Sequence, residues 1–332
     1  MQFRSATPKD KHAIIDLLKK SLGESTIPKS ESLWNWKHEQ NPFGPSYVLL
    51  AEDNNNVIGL RAFMQWQWQW KKQIYKAIRA VDTATHPDYQ GKGIFKKLTL
   101  QQIETCKDEG VDFVFNTPND QSKPGYLKMG WVEQGKLPLK FKVLRPVSLA
   151  YKRLFEKSKS FENEDNSSPS QAWEPGIPDL ITQGLHRTDQ FSSYLSPAYI
   201  SWRYEKNPLF NYNYFTDHSN FLIISRIKKH SFARELRIVE FILLKPESQF
   251  RKWNAEIGKQ VLRFCKNNKI DFIAISGLQY SNFSNCLRWM GLIPVRAMGP
   301  SITLKDLNMY EKFPDVRDIN NWNYSLGDLE LF

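Results

Sequence analysis

The stretch Val81-Asp-Thr-Ala-Thr-His-Pro-Asp-Tyr-Gln-Gly-Lys-Gly-Ile-Phe95, followed at once by Lys96-Lys-Leu-Thr-Leu-Gln-Gln-Ile-Glu-Thr-Cys106, decides how the chain is read. It predicts a strand, a glycine-bearing turn and the first turns of a helix. Gly91 and Gly93 have no Cβ, so the backbone turns sharply there and aims several consecutive N–H groups at one anion, which a helix N-terminus favours further. Such a turn is a phosphate cradle. Two common cradles are excluded by spacing: Gly91-Lys92-Gly93 lacks the third glycine of the dinucleotide fingerprint, and no Gly-Lys-Ser/Thr stands at P-loop spacing.

Outward from the cradle, residues 73–85 read as the strand that feeds it and 94–109 as the helix that follows, ended by Gly110. Asp112-Phe-Val-Phe-Asn116 reads as a short buried strand, parallel to the feeding strand because a helix connects them. Upstream, 2–6 suits a first strand. Thr7-Pro8 with Asp10 opens a helix whose stripe Ile14, Ile15, Leu17, Leu18 and Leu22 ends at Gly23. A second helix starts at Ser30 and stops before Asn41-Pro42. Residues 47–52 and 57–70 then form a hairpin about Asp53-Asn-Asn-Asn56. In the longer strand Trp66, Trp68 and Trp70 share one face and Gln65, Gln67 and Gln69 the other, and core burial of the tryptophan row outweighs ligand stacking.

A chain of 332 residues suits two domains, and 41% hydrophobic with 14% aromatic residues supplies packed cores for them. No apolar run approaches the ~20 residues that cross a bilayer. Met1-Gln-Phe-Arg-Ser lacks the basic start and apolar core of a secretory signal, so the expected location is cytoplasmic. Cys106, Cys265 and Cys286 are too scattered for a disulfide framework or a metal site, and no metal is expected. The net charge of +11 would suit a polyphosphate coenzyme, nucleic acid or an anionic membrane surface. Its even spread favours plain solubility, and nucleic acid is disfavoured as a partner.

Gln90 with the two glycines resembles the Gln/Arg-x-x-Gly-x-Gly/Ala loop of the GNAT acetyltransferase superfamily, with Phe95 where that pattern has Gly or Ala. One strand later comes Asn119-x-x-Ser122-x-x-x-Tyr126-x-x-x-Gly130-Trp131, which resembles the family's Asn, small residue, Tyr and Gly-aromatic series in the family's own order. The resemblance implies an α/β fold (an α+β mixed sheet) whose strands splay to admit the pantetheine arm of acetyl-CoA. It implies that the backbone of Thr83, Ala84 and Thr85 pairs with that arm. Gln90, Gly91, Lys92, Gly93, Ile94 and Phe95 then hold the pyrophosphate, Lys92 adding a point charge. Asn119 would bond the arm or the sulfur end, with Ser122 as a helix N-cap neighbour. Tyr126 would protonate the departing thiolate, a transfer suited to a thiol near 8.5 and a phenol near 10. The base is not readable: Asp82, on the strand before the loop, is the first expectation, with His86, His38, Glu39 and Glu52 candidates by type and water an alternative.

The second half echoes the first. Trp36-Lys-His-Glu-Gln-Asn-Pro42 matches Trp202-Arg-Tyr-Glu-Lys-Asn-Pro208, Cys106-Lys-Asp-Glu-Gly-Val-Asp-Phe113 matches Cys265-Lys-Asn-Asn-Lys-Ile-Asp-Phe272, and Gly130 has a partner in Gly291. This repetition implies tandem GNAT-like domains, each a splayed mixed sheet flanked by helices. The second has Lys245-Pro-Glu-Ser-Gln-Phe-Arg-Lys252 in place of the loop and Leu287 in place of the tyrosine, so it reads as a domain that kept the fold and lost the coenzyme site. Trp36 and Trp202 are then structural, and Cys106 and Cys265 are buried helix residues rather than nucleophiles. The expected division is 1–150 catalytic, 151–179 linker, 180–310 degenerate domain and 311–332 C-terminal tail. The expected activity is acetyl transfer from acetyl-CoA to a primary amine in a ternary complex. The first expectation for the acceptor is a small-molecule amine, an amino sugar in particular. The alternatives are a transferase using charged tRNA on peptidoglycan precursors and a non-catalytic CoA-sensing or partner-binding module.

Overall fold

Residues 47–85, with their β-branched and aromatic alternation, form the long strands on which the first half is built. The computed structural model describes residues 1–24, 27–155, 172–183, 190–245, 254–278, 287–288, 290–295, 299–309 and 316–329. Its first half contains β1 (Gln2–Ser5), α1 (Lys11–Leu22), α2 (Glu31–Trp34), β2 (Tyr47–Asp53), β3 (Asn56–Trp70), β4 (Gln73–Thr85), α3 (Ile94–Asp108), β5 (Phe113–Asn116), α4 (Lys123–Lys128), β6 (Val132–Lys136), β7 (Leu139–Val143) and α5 (Pro146–Phe155). The second half contains β8 (Ser192–Ser193), α6 (Pro197–Ile200), β9 (Tyr212–Thr216), β10 (Phe221–His230), β11 (Ala233–Leu243), α7 (Asn254–Asn267), β12 (Phe272–Ser276), β13 (Ile293–Val295), β14 (Ser301–Asp306) and α8 (Leu326–Leu329). The centre of the expected linker, Asn166-Ser-Ser-Pro-Ser170, and residues 246–252 of the second loop lie outside the described residues.

Two mixed sheets result. The first runs β1-β2-β3-β4-β5-β14-β6, with β8 on the free end of β3, and the second runs β13-β7-β12-β11-β10-β9. The β2–β3 turn carries Asn54 and Asn55 at φ 47° and 62°, a left-handed pair that suits the twist of a tight hairpin. As expected, β4 and β5 are parallel, and so are β11 and β12 of the second half. Strands cross the expected boundary at 150. β14 lies between β5 and β6 of the first sheet, while β7 lies between β12 and β13 of the second, so each half lends one strand to the other.

The halves also meet at the repeated tryptophan motif. In both, a short α-helix passes into a π-helical turn, at Asn35–Glu39 and Ser201–Glu205. Trp36 Nε1 donates to the Trp202 carbonyl and Trp202 Nε1 to the Trp36 carbonyl, each at 2.8 Å, with the rings stacked 4.9 Å apart. This reciprocal contact has the form of a local two-fold axis between repeats. The tryptophan row packs beside it. Trp66 and Trp68 are buried, Trp68 against Trp322 and Tyr324, and Trp70 stacks on Phe191. The stretch expected as a tail therefore supplies core aromatics, because the face of β3 that the first half leaves uncovered requires them.

Candidate active site

Pairing of β4 with β5 ends at Arg79 opposite Phe115, although β4 continues to Thr85. Beyond that point the strands part, and the edge of residues 80–85 that faces β5 has no ladder among the described residues. On its other edge β4 pairs with β3 through a bulge. Arg61 opposes Thr83 and Ala62 opposes Val81, so Asp82 is the extra residue, and its side chain is re-aimed toward α1 and α2.

The loop after β4 delivers the chain to α3. His86 caps the 3-10 turn Pro87–Tyr89 by accepting from Asp88 N, and Gly91 and Gly93 follow at φ 77° and 74°. A Cβ at either glycine would meet nothing within 4 Å, so the left-handed backbone, not crowding, is what calls for glycine here. Gly93 is the N-cap of α3, and the backbone N–H groups from Gly91 to Lys96 have no acceptor among the described residues. They form a concavity of N–H donors at the positive end of a helix.

Thr83, Ala84, Thr85, Gln90, Gly91, Gly93, Ile94, Phe95, Asn119 and Ser122 all line one groove of about 700 Å³. That is the size of a site for a coenzyme arm. The sequence gives no sign of some further lining residues, including Leu22, Gln121 and Lys96. Lys92 is not part of the lining, and its Nζ lies over the Tyr89 ring at 4.3 Å from the centroid. Asn119 Oδ1 accepts from Ser122 N at 2.9 Å, which closes the turn before α4 and leaves the amide nitrogen as the group to meet a ligand. Tyr126 follows Gly125 of the groove wall. Its ring is buried, edge-on to Phe95, and its hydroxyl accepts from Arg61 Nη1 at 2.9 Å. Arg61 was not singled out from the sequence, although a charge inside the otherwise apolar run Ile58-Gly-Leu-Arg-Ala-Phe-Met64 is itself a signal.

Asp82 faces a small pocket shared with Lys29, Trp34, Lys37 and His38. Its carboxylate meets Lys37 Nζ and His38 Nε2, both at 2.8 Å, and His38 Nδ1 bonds Ser46 Oγ at 2.9 Å. Burial opposes the charged form, but the Lys37 charge and the His38 bond outweigh it and hold this carboxyl far below the usual carboxylate range. Burial pushes the His38 imidazole down, with Asp82 offsetting part of the effect. Asp82 is thus a firmly ionised ion-pair partner and a weak proton acceptor. The other candidates by type are engaged in structural contacts: Glu39 with Lys11, Glu52 with Arg4, and His86 in its cap. Cys106 and Cys265 are buried, which pushes both thiols up to about 12, while Cys286 lies outside the described residues.

A splayed mixed sheet with a glycine turn between strand and helix, and a groove between the parted strands, defines the GNAT class of fold. Residues 2–133 match the family model for an acetyltransferase (GNAT) domain. Comparison with curated proteins finds no match. Among solved structures, the chain is similar to a GCN5-related N-acetyltransferase from Anabaena variabilis, with TM-score 0.62 and 14% identity over 93% of this chain and 74% of that one. A conserved protein of unknown function from Enterococcus faecalis gives TM-score 0.64 at 11% identity, over 93% of this chain and 72% of that one. A GCN5-related N-acetyltransferase from Kribbella flavida gives 0.56 at 10%, over 92% and 71%. At these identities the likeness is one of fold, and it extends over both halves. Among the described residues no helix is long and apolar enough to cross a membrane, and no cluster of His, Cys, Asp and Glu is arranged to hold a metal ion.

Proposed function

We propose that this protein is an N-acetyltransferase that moves the acetyl group of acetyl-CoA to a primary amine by direct attack in a ternary complex. The observation that carries this reading is the row of uncommitted N–H groups from Gly91 to Lys96, opening on the same groove as the unpaired edge of β4. In this reading the turn and the N-terminus of α3 bind the pyrophosphate, and Lys92 adds charge once it swings from the Tyr89 ring. The edge of Thr83, Ala84 and Thr85 away from β3 pairs with the amides of the pantetheine arm, as a further strand would, the Thr85 carbonyl giving up its bond from Ser21 Oγ at 3.1 Å. Asn119 offers its amide nitrogen to the arm, and Ser122 secures the turn that carries Asn119. Tyr126 gives its proton to the departing thiolate. The hydroxyl already accepts from Arg61, and among the described residues its own proton has no acceptor. Because Lys37 and His38 engage Asp82, the amine's proton leaves through water, and Asp82 shapes the pocket beside the groove.

Isothermal titration with acetyl-CoA, desulfo-CoA and tRNA, combined with thiol release in a screen of amines that includes amino sugars, tests this reading. The expected result is binding of both CoA forms and amine-dependent thiol release. Absence of acetyl-CoA binding, or binding unchanged when Gly91 and Gly93 are replaced by bulky residues, would overturn it. Binding without an acceptor in a broad screen would point to a sensing module instead.

A further inference from the structure

Arg61 is a fully buried cation in a run of apolar strand, and it has no carboxylate within ion-pair distance among the described residues. Nη1 donates to Tyr126 Oη, while Nε and Nη2 are buried with no partner. The guanidinium is enclosed by rings, 4.3 Å from the centroid of Phe63, 5.5 Å from Tyr126 and 5.8 Å from Phe95. Aromatic faces offset only part of the cost of burying an arginine without a counter-charge. A fold that retains such a group has a use for positive charge at that point. Arg61 pairs in register with Thr83, so the two side chains project from the same face of the sheet, and Thr83 lines the groove.

We propose that Arg61 positions Tyr126 as the proton donor and stabilises the negative charge left on its oxygen. The proposal rests on the assignment of Tyr126 as the general acid. Because Arg61 occupies a lone pair of the hydroxyl, the phenol is held as a donor toward whatever else approaches it. As the amine attacks, the C–S bond breaks and its electron pair goes to sulfur. The Tyr126 proton moves onto that sulfur to give the free thiol, and the phenolate that remains faces the Arg61 cation. A proton from water restores the phenol, and the new amide nitrogen loses its extra proton to water. The missing counter-charge of Arg61 is therefore one that exists during turnover.

The test is a double-mutant cycle on the full chain with Tyr126→Phe, Arg61→Met and Arg61→Lys, reading kcat, KM for acetyl-CoA and thermal midpoint. Tyr126→Phe is expected to lower kcat by about 100-fold, within the usual span of a general acid. Arg61→Met is expected to lower kcat by a similar factor with KM changed less than about threefold, to add little in the Tyr126→Phe background, and to be largely rescued by Arg61→Lys. If Met at this position prevents folding, Arg61→Gln, which keeps an N–H donor and drops the charge, makes the same comparison. Full additivity of the two losses, or an Arg61→Met variant with unchanged kcat, overturns the positioning role while leaving Tyr126 as the acid. An unchanged kcat in Tyr126→Phe removes the acid itself. Preference for succinyl-CoA over acetyl-CoA, lost in Arg61→Met, also overturns the proposal, because the counter-charge would then come from the acyl group.

Discussion

Asp82 is the residue at which geometry and charge part company. A bulge in β4 sets it out of register with β3, and the π-helical turn brings Lys37 and His38 to the same carboxylate. Lys37 and His38 are buried and Asp82 half-buried, so removing the Asp82 charge costs about 3 kcal/mol, the lower end of the range for fully buried pairs. Asp82→Asn is therefore expected to lower the urea midpoint clearly while leaving coenzyme affinity within a few-fold, and a wild-type midpoint in that variant would refute the ion-pair account. The same cluster predicts how stability varies with pH. His38 is buried with its pKa depressed, so below about 6.5 the unfolded chain takes up a proton that the native chain does not. Its contribution is fully present above pH 6.5 and is lost as pH falls further. Asp82, also depressed, has its contribution present above about 3.9 and lost only in stronger acid. Equilibrium unfolding between pH 7.5 and 5 is thus expected to show falling stability, by up to about 1.4 kcal/mol per pH unit once below the unfolded value. His38→Gln should flatten that part of the curve, and an unflattened curve would assign the loss to other groups.

At the scale of the element, the glycine turn and α3 form one device, and its two glycines are separable by experiment. Both need a left-handed backbone, and neither has a neighbour that a Cβ would strike. Gly91→Ala should therefore cost about 1–2 kcal/mol of local strain without blocking the groove, seen as a modest rise in the dissociation constant for CoA. Gly93→Asp carries the same left-handed strain and adds a carboxylate at the N-cap of α3, where it competes with phosphate for the same N–H groups. It should fold normally and lose CoA binding by a far larger factor than Gly91→Ala, and equal losses would mean that strain, not charge, governs the site. This device was legible because its information is local: glycine conformation, strand period and helix start lie within one short stretch. The π-helical turns were not. Trp36-Lys-His-Glu reads as plain α-helix, and what widens its last turn is a set of distant partners, Trp202 for Trp36 and Asp82 for His38. Arg61 was missed for a related reason: its meaning depends on Tyr126, sixty-five positions away.

In the whole molecule, a mixed sheet in each half was legible from the echo between the halves, but the exchange of strands between the two sheets was not. Each repeat ends with a strand, 139–143 in one and 301–306 in the other, and period and composition are silent on which sheet receives it. The structure seats each in the opposite sheet, between two strands of the other repeat. Without β14, β5 and β6 of the first half would face each other across an empty position, with unpaired backbone groups on both. Trp66 and Trp68 would also lose the cover of Ser193, Trp322 and Tyr324. An aromatic side chain buries roughly 150–250 Å², so each ring left uncovered forfeits several kcal/mol, at about 25 cal/mol per Å². That is a large share of the 5–15 kcal/mol by which a domain is typically stable. A fragment of residues 1–150 should therefore fail to fold alone, although it contains every residue proposed to touch the coenzyme. Residues 1–155 co-expressed with 172–332 should instead assemble, bind CoA and melt in one transition, because each fragment carries the strand that completes the other's sheet. A stable, CoA-binding monomer of 1–150 would show that the exchanged strand is dispensable and that the coenzyme site belongs to the first half alone.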